Sequence, residues 1–135
     1  GSVEVTEFNV IEYYSHVMHI VSQVEGDLLA KRDGVDALRA TFPAGTVSGA
    51  PKIRAMEVID RLEAAPRSFY AGVVGYLEPD GSLDTCIAIR CGLKKDGVMV
   101  LQAGAGVVFD SSPKRELEET NEKLRALGKT IGVTI

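Results

Sequence analysis

The first third of the chain alternates between strand-like and helix-like patterns of apolar residues. Segment 15–26, SHVMHIVSQVEG, is rich in valine and isoleucine and ends in glycine, which is typical of a β-strand. Segment 33–41, DGVDALRAT, has Val35 and Leu38 at helical spacing and predicts a short helix. Segment 42–52, FPAGTVSGAPK, contains two prolines and two glycines, so we expect a loop without regular structure.

The middle of the chain predicts one helix followed by strands. From Pro51 to Ala64 apolar residues recur at a near-helical period, and proline suits the first position of a helix. The runs FYAGVVGYL and LDTCIAIRCGL flank the turn sequence 78–81, EPDG, and predict a hairpin. The run VMVLQAGAGVVF follows another turn, so the three runs together predict an antiparallel meander.

A helix is predicted at the end of the sequence, and it completes the fold class. Ser112 suits the N-cap, Pro113 the first helical position, and a leucine stripe ends near Gly128. The strands are grouped and do not alternate with helices in the way a Rossmann sheet requires. We therefore predict an α+β fold in which an antiparallel sheet is packed with helices.

Length and charge restrict the classes of partner. A chain of 135 residues with 45% hydrophobic residues can form one domain with a core. Its formal net charge is −4 without a basic cluster, so we expect no nucleic acid partner. No apolar run approaches the roughly 18 residues of a membrane span, so we expect no membrane and a cytoplasmic protein. Residues 1–2 resemble a tag remnant, which leaves 3–135 as part of a longer domain.

Two glycine-containing segments could approach a ligand. The loop GTVSGAPK leads into a helix N-terminus, where free N–H groups favour an anion, although a tight connection between helices explains it equally well. Its spacing excludes a nucleotide-binding P-loop, because Ala50 and Pro51 separate Gly49 from Lys52. The glycines in 102–106, QAGAG, are typical either of ligand approach or of space for a packed helix.

Charged and polar side chains on the strands and the last helix allow two interpretations each. Glu116 and Glu119 lie on one stripe of the last helix, where they could hold Mg²⁺ or, with Lys123, form a solvated charged flank. His19 lies among apolar residues and fits a hydrogen-bonded core residue. Arg90 alternates with small uncharged residues, so it needs an anionic partner, and Tyr70 on the neighbouring strand could lie near it.

Four motifs taken together resemble the chorismate-utilising enzymes, and among them the anthranilate synthase component I family. They are VEVTEF with SHVMHIVSQVEG, ATFPAGTVSGAPKIRAMEVIDRLE, YAGVVGYLEPDGSLDTCIAIR and LQAGAGVVFDSSPKRELEET. The resemblance implies the C-terminal portion of a chorismate-binding domain. It also implies a magnesium-dependent lyase of tryptophan biosynthesis, which makes anthranilate and pyruvate from chorismate and ammonia. The ammonia comes from glutamine through an amidotransferase partner subunit.

The resemblance assigns roles residue by residue. His19, the candidate proton donor, and Thr46 would lie at the hydroxyl that leaves the substrate ring. The remaining positions would bind the substrate or the metal. Tyr70, Arg90 and the backbone of Gly104, Ala105 and Gly106 would hold a substrate carboxylate, Glu119 would bind Mg²⁺, and Glu116 would lie beside metal and substrate.

The sequence also departs from the family in ways that affect function. The family usually reads Thr-x-Asn-Lys after the second glutamate, where this chain has residues 120–123, TNEK, and Ser68 stands where glycine is common. The resemblance places another magnesium glutamate and a substrate loop upstream, so we expect the isolated chain to be inactive and to self-associate. Two alternatives stay open: an aminodeoxychorismate synthase-like enzyme, and a non-catalytic folded remnant that acts as a binding module.

Overall fold

The computed structural model describes residues 1–13 and 18–133, which form two compact units, Gly1–Arg39 and Ala40–Ile135. Each unit is described by itself. The strands in the described ranges are β1 (Glu4–Tyr13), β2 (Met18–Glu25), β3 (Val73–Leu77), β4 (Leu83–Ile87), β5 (Gly92–Lys95) and β6 (Val98–Leu101). The helices are α1 (Gly34–Thr41), α2 (Gly45–Ser48), α3 (Lys52–Leu62) and α4 (Pro113–Thr130).

The first unit contains a two-stranded antiparallel sheet of β1 and β2. Its register places Ile11 opposite Ile20 and Glu12 opposite His19. The predicted strand 15–26 is confirmed for Met18–Glu25, and its first three residues lie outside the described residues. The predicted helix is also confirmed as α1, where the Asp33 carboxylate accepts a hydrogen bond from the backbone N–H of Asp36 at 2.9 Å.

The loop predicted for 42–52 is partly wrong, because α2 lies within it. The backbone N–H of Ser48 donates to the carbonyl of Ala44, and that of Gly49 to the carbonyl of Gly45. Both prolines of the segment lie outside this turn, so neither removes a hydrogen bond from it. The next predicted helix is confirmed as α3, although Pro51 occupies its N-cap and the helix ends at Leu62.

The strands of the second unit form two separate hairpins. β3 pairs with β4 from Val73 opposite Ile87 to Leu77 opposite Leu83, which confirms the predicted hairpin. The three-stranded meander is wrong, because β6 pairs with β5 instead of β4. After β4 the N–H of Ile89 donates back to the carbonyl of Ile87, and Arg90 has a positive φ of 53°. This bend follows Ala88, which still pairs with Ala71 and Gly72, and it separates β4 from β5.

The last predicted helix is confirmed as α4, with a later end than expected. Ser112 occupies the N-cap, and its carbonyl accepts a hydrogen bond from the N–H of Glu116. Gly128 lies within the helix instead of after it, and its carbonyl accepts hydrogen bonds from Ile131 and Val133. Gly128 is also buried.

Large apolar side chains of the first unit stay exposed on one face of the β1–β2 sheet. Ile11 and Tyr13 alternate along β1 opposite Ile20 and Met18 of β2, and these four side chains are 55–76% exposed. Across the described residues, Ala88 is the only apolar side chain classed as buried. A contiguous apolar patch of this kind is typical of a surface that another chain segment covers. None of the described helices is long and apolar enough to cross a membrane.

The isolated chain is expected to self-associate through this exposed face. Burial of apolar surface stabilises association by about 25 cal/mol per Å² before the entropic costs, so the weight-average mass should rise with concentration. Sedimentation velocity over a wide concentration range measures it. The double variant Ile11→Thr, Ile20→Thr should shift the chain toward the monomer. A clean monomer at every concentration would contradict the prediction.

Candidate functional site

Tyr70 and Gly104 meet although 34 positions separate them. The Tyr70 hydroxyl lies 3.2 Å from the position that a Cβ atom would occupy at Gly104. Glycine therefore allows the hydroxyl to come close to the backbone of segment 102–106. A Cβ at Gly106 would meet nothing within 4 Å, so the close approach is specific to Gly104.

Lys123 connects this backbone to α4. Its Nζ donates one hydrogen bond to the carbonyl of Gly104 at 3.0 Å and another to Oε1 of Glu119 at 2.6 Å. The ion pair considered from the spacing of Glu119 and Lys123 is thus present. The hydrogen bond from Lys123 lowers the pKa of Glu119, and the positive charge of Lys123 lowers it further by a smaller amount. Glu119 is therefore a carboxylate at neutral pH. Tyr70, Gly104 and Glu119 therefore belong to one connected set of contacts.

An acidic pocket of about 480 Å³ lies beside Glu119 at the start of α4. Its acidic lining residues are Asp110, Glu116, Glu118, Glu119 and Glu122, together with the basic Arg115. In the part of the chain that the structure describes, no group of three or more histidines, cysteines and carboxylates could hold a metal ion. Because Mg²⁺ usually takes only one or two protein carboxylates, Glu116 and Glu119 fit one side of such a site but not a complete cage.

Arg67, which lies next to Tyr70, makes three kinds of contact. Its Nε and Nη2 donate to the Glu63 carboxylate at 2.6–3.0 Å, and its Nη1 donates to the carbonyl of Val47 at 2.7 Å. The guanidinium carbon lies 5.8 Å from the centroid of the Tyr70 ring, within the range of a cation–π contact. Sequence reasoning missed Arg67 and Glu63. Their spacing of four residues was the only signal, and Pro66 between them made a helical pair improbable.

A second pocket, of about 570 Å³, is bordered by α2, α3 and the segment that carries Arg67 and Tyr70. Its lining includes the apolar residues Phe42, Val47, Met56 and Ile59 as well as Glu63, Arg67 and Tyr70. A mostly apolar lining with a few polar groups is typical of small-molecule sites. Tyr70 thus lines this pocket and also brings its hydroxyl close to Gly104.

The other predicted site residues are placed as follows. Thr46 is exposed in α2, next to the Val47 carbonyl that Arg67 binds. Arg90 is exposed and lies two residues after Ala88, whose backbone exchanges hydrogen bonds with Ala71 and Gly72 near Tyr70. Ala105 is half-buried beside Gly104, and Glu116 is half-buried on α4. His19 is half-buried on β2 of the first unit, opposite Glu12.

Acid is expected to weaken the second unit through Glu63. The hydrogen bond from Arg67 lowers the pKa of Glu63 below the ordinary 4.5, with burial opposing and the charge of Arg67 adding to the effect. Because the pKa of Glu63 is lower in the folded than in the unfolded state, its ionised carboxylate stabilises the fold above pH 4.5. This stabilisation is lost as the pH falls through the pKa of the folded state. The contribution should stay below about 1 kcal/mol, since roughly a third of the side chain is exposed.

Urea unfolding at a series of pH values measures this contribution. Glu63→Gln should show a shallower loss of stability than the wild type between about pH 5 and pH 3. Glu57→Gln is the matched control, because it removes a more exposed pair with Arg54 on α3. Parallel pH curves for wild type and Glu63→Gln would contradict the prediction.

Comparison with known proteins decides the family. Residues 1–129 match the family model described as chorismate binding enzyme. The chain belongs to this family. It is 68% identical over all 135 residues to anthranilate synthase component 1 of Spirochaeta aurantia, and 55% identical over 133 residues to that of Aquifex aeolicus. It spans only 28% and 27% of the lengths of these two relatives.

Solved structures support the same assignment and the α+β fold. Anthranilate synthase component I from Streptococcus pneumoniae superposes with a TM-score of 0.86 at 47% identity, over 93% of this chain and 29% of that one. A Bacillus anthracis protein described as a 2,3-dihydroxybenzoate-specific isochorismate synthase superposes with a TM-score of 0.87 at 29% identity, over 98% of this chain and 36% of that one. The resemblance read from the four sequence motifs is thereby confirmed, and the chain corresponds to part of a chorismate-binding fold.

Proposed function

We propose that the chain is the C-terminal part of the chorismate-binding domain of an anthranilate synthase component I. The whole protein would convert chorismate and ammonia into anthranilate and pyruvate, a lyase reaction of tryptophan biosynthesis in the cytoplasm. A glutamine amidotransferase subunit would supply the ammonia. The observation that carries this proposal is the 68% identity to an anthranilate synthase component 1 along the entire chain. Identity to the isochorismate synthase structure is much lower, at 29%.

The Tyr70 hydroxyl and the backbone near Gly104 would bind one carboxylate of chorismate. A tyrosine O–H and backbone N–H groups are hydrogen-bond donors, and the Arg90 guanidinium adds a charge-assisted donor. The contact between Tyr70 and Gly104 supports this role, because it puts one donor side chain against the glycine-containing segment. Ala105 and Gly106 would contribute their N–H groups in the same way.

Glu119, with Glu116 beside it, would hold Mg²⁺ at the start of α4. The bound ion would act as a Lewis acid and orient a substrate carboxylate. The two glutamates offer carboxylate oxygens next to the acidic pocket, which is the donor chemistry that Mg²⁺ prefers. Lys123 would share Glu119 with the ion and keep its hydrogen bond to the carbonyl of Gly104, so metal and carboxylate sites would be adjacent.

His19 would donate the proton to the hydroxyl that leaves the substrate ring, with Thr46 beside that hydroxyl. An imidazole is the side chain that most often acts as a general acid, so it can give a proton to a departing oxygen. Glu12 lies directly across the sheet from His19, and cross-strand neighbours share a face. A carboxylate is therefore available to orient the imidazole for this step.

A direct assay separates this proposal from its alternatives. The full-length protein containing this chain should produce fluorescent anthranilate from chorismate, ammonium and Mg²⁺, whereas the isolated chain should produce none. Formation of aminodeoxychorismate without pyruvate release would favour the aminodeoxychorismate synthase-like alternative. A full-length protein without any turnover would favour the non-catalytic binding module.

A pair of glycine variants tests the carboxylate site in the full-length protein. Gly104→Ala should raise the KM for chorismate about 10-fold, since its Cβ would push the Tyr70 hydroxyl by a few tenths of an ångström. Gly26→Ala is the matched control, because its added Cβ would stand at a similar distance, 3.1 Å, from the Val3 side chain, and its KM should change less than about 3-fold. Equal effects of the two substitutions would contradict a special role for the Tyr70–Gly104 approach.

A further inference from the structure

The Arg67 side chain contacts both α2 and Tyr70. Nη1 binds the Val47 carbonyl at 2.7 Å, and the guanidinium lies over the Tyr70 ring. Val47 follows Thr46 directly in α2. A single guanidinium therefore holds both Tyr70 and the segment that carries Thr46, which have predicted substrate roles. Arg67 itself has no predicted substrate role.

The orientation of this guanidinium is strongly determined. Glu63 binds its Nε and Nη2 edge with two oxygens, which leaves Nη1 directed at Val47 and one face directed at Tyr70. The Arg67 side chain is only 24% exposed, so solvent competes weakly for these donors. Arginine alone offers a planar fork that can bind a carboxylate, bind a carbonyl and stack on a ring at once.

Tyr70 transmits this orientation to the Gly104 backbone. The guanidinium lies over the Tyr70 ring, and the hydroxyl of the same rigid ring lies 3.2 Å from the position of a Cβ at Gly104, so a rotation of the ring would displace the hydroxyl. Loss of the guanidinium would release the ring on one side and the α2 carbonyl on the other. Both changes would affect substrate contacts without removing any of them.

We propose that Arg67 is a positioning residue of the substrate site, which holds the Tyr70 ring and the Thr46 segment in register with each other. The expected kinetic effect rests on the proposed function. The geometry rests only on the contacts of Arg67 with Glu63, Val47 and Tyr70. We predict that Arg67 acts through the Tyr70 hydroxyl. An ion pair that only stabilised the end of α3 would act independently of that hydroxyl.

A double-mutant cycle in the full-length protein tests this dependence. Arg67→Ala should lower kcat/KM for chorismate about 30-fold, mainly through KM, because small misplacements of binding groups are costly. In a Tyr70→Phe background the same substitution should cost less than about 3-fold, because the hydroxyl it positions is already gone. Arg67→Lys should fall between Arg67→Ala and wild type, since it keeps the charge and loses the fork.

Arg54→Ala is the matched control for the cycle. It removes an Arg–Glu pair on α3 at 2.9 Å whose partners are 62% and 50% exposed, and neither partner lines the pocket that Tyr70 lines. It should leave kcat/KM within about 2-fold of wild type in both backgrounds. Equal losses from Arg67→Ala with and without the Tyr70 hydroxyl would overturn the proposal. Where Arg67→Ala does not fold, Arg67→Lys carries the same comparison.

A spectroscopic measurement tests the geometry whether or not the protein makes anthranilate. The full-length protein is labelled with 3-fluorotyrosine and observed by ¹⁹F NMR. The Tyr70 resonance is assigned by its disappearance in the Tyr70→Phe variant. Arg67→Ala should shift or broaden this resonance, and Arg54→Ala should leave it in place. An unchanged Tyr70 resonance in Arg67→Ala would overturn the positioning role. Absence of turnover in the wild type would instead count against the proposed function.

Discussion

Gly75→Ala is expected to destabilise the β3–β4 hairpin by about 3 kcal/mol or more, the upper end of the range for overpacking. Gly75 lies opposite Thr85 in the hairpin register. An added Cβ would stand 2.7 Å from the Thr85 Cα and closer still to the Asp84 carbonyl oxygen. Both are backbone atoms of the partner strand, so no side-chain rotation can relieve the contact. The strands would have to separate or lose their register.

Urea unfolding followed by circular dichroism measures the effect of Gly75→Ala. Gly45→Ala is the matched control, because its added Cβ meets nothing within 4 Å in α2. Alanine is a better helix former than glycine, so this control should be neutral or stabilising by less than about 1 kcal/mol. Similar unfolding midpoints for the two variants would mean that the hairpin yields more easily than its backbone geometry indicates.

Helices with a sustained apolar stripe could be predicted from the sequence, and shorter elements could not. The periodic patterns of α1, α3 and α4 extend over at least two turns, which is enough to recognise a helical period. In contrast, α2 has four residues, and its hydrogen bonds depend on the backbone path around Ala44 and Gly49. No periodic signal exists over so short a length.

The division of the strands depended on a backbone conformation that residue type does not reveal. Arg90 has a positive φ, which the sequence gives no reason to expect from an arginine. The run LDTCIAIRCGL therefore looks like one strand, but it contains all of β4 and the start of β5. The turn at Asp96 and Gly97, where both residues have positive φ, follows the known hairpin preference and was recognisable.

The candidate site shows the same limit. The Glu119–Lys123 pair follows from helical spacing, so the sequence alone predicts it. The contact from Lys123 to Gly104 and the approach of Tyr70 to Gly104 join residues that are far apart in the chain. Such contacts follow only from tertiary structure or from resemblance to a family. The roles predicted for His19, Thr46 and Arg90 rest on that resemblance.

Glu119→Gln in the full-length protein is expected to lower kcat/KM for chorismate by about 1000-fold at fixed Mg²⁺, since the loss of a metal ligand removes several kcal/mol of charge stabilisation. The substitution keeps the size of the side chain. It removes the negative charge of the carboxylate that accepts the 2.6 Å hydrogen bond from Lys123. The Lys123 ammonium would then remain beside the pocket without its carboxylate and repel a cation. Weaker binding of Mg²⁺ should therefore accompany the lost activity, and calorimetric titration of the metal measures it.

Glu118→Gln is the control that separates ligation from general electrostatics. Glu118 is the neighbouring residue on α4 and lines the same acidic pocket, so the change in net charge is identical. Its side chain lies about 100° around the helix from that of Glu119, away from Lys123 and the Gly104 backbone. Glu118→Gln should cost less than about 3-fold in kcat/KM, as expected of a surface charge. Equal losses from both substitutions would mean that the pocket attracts the ion through its total charge, and Glu119 would lose its assignment as a ligand.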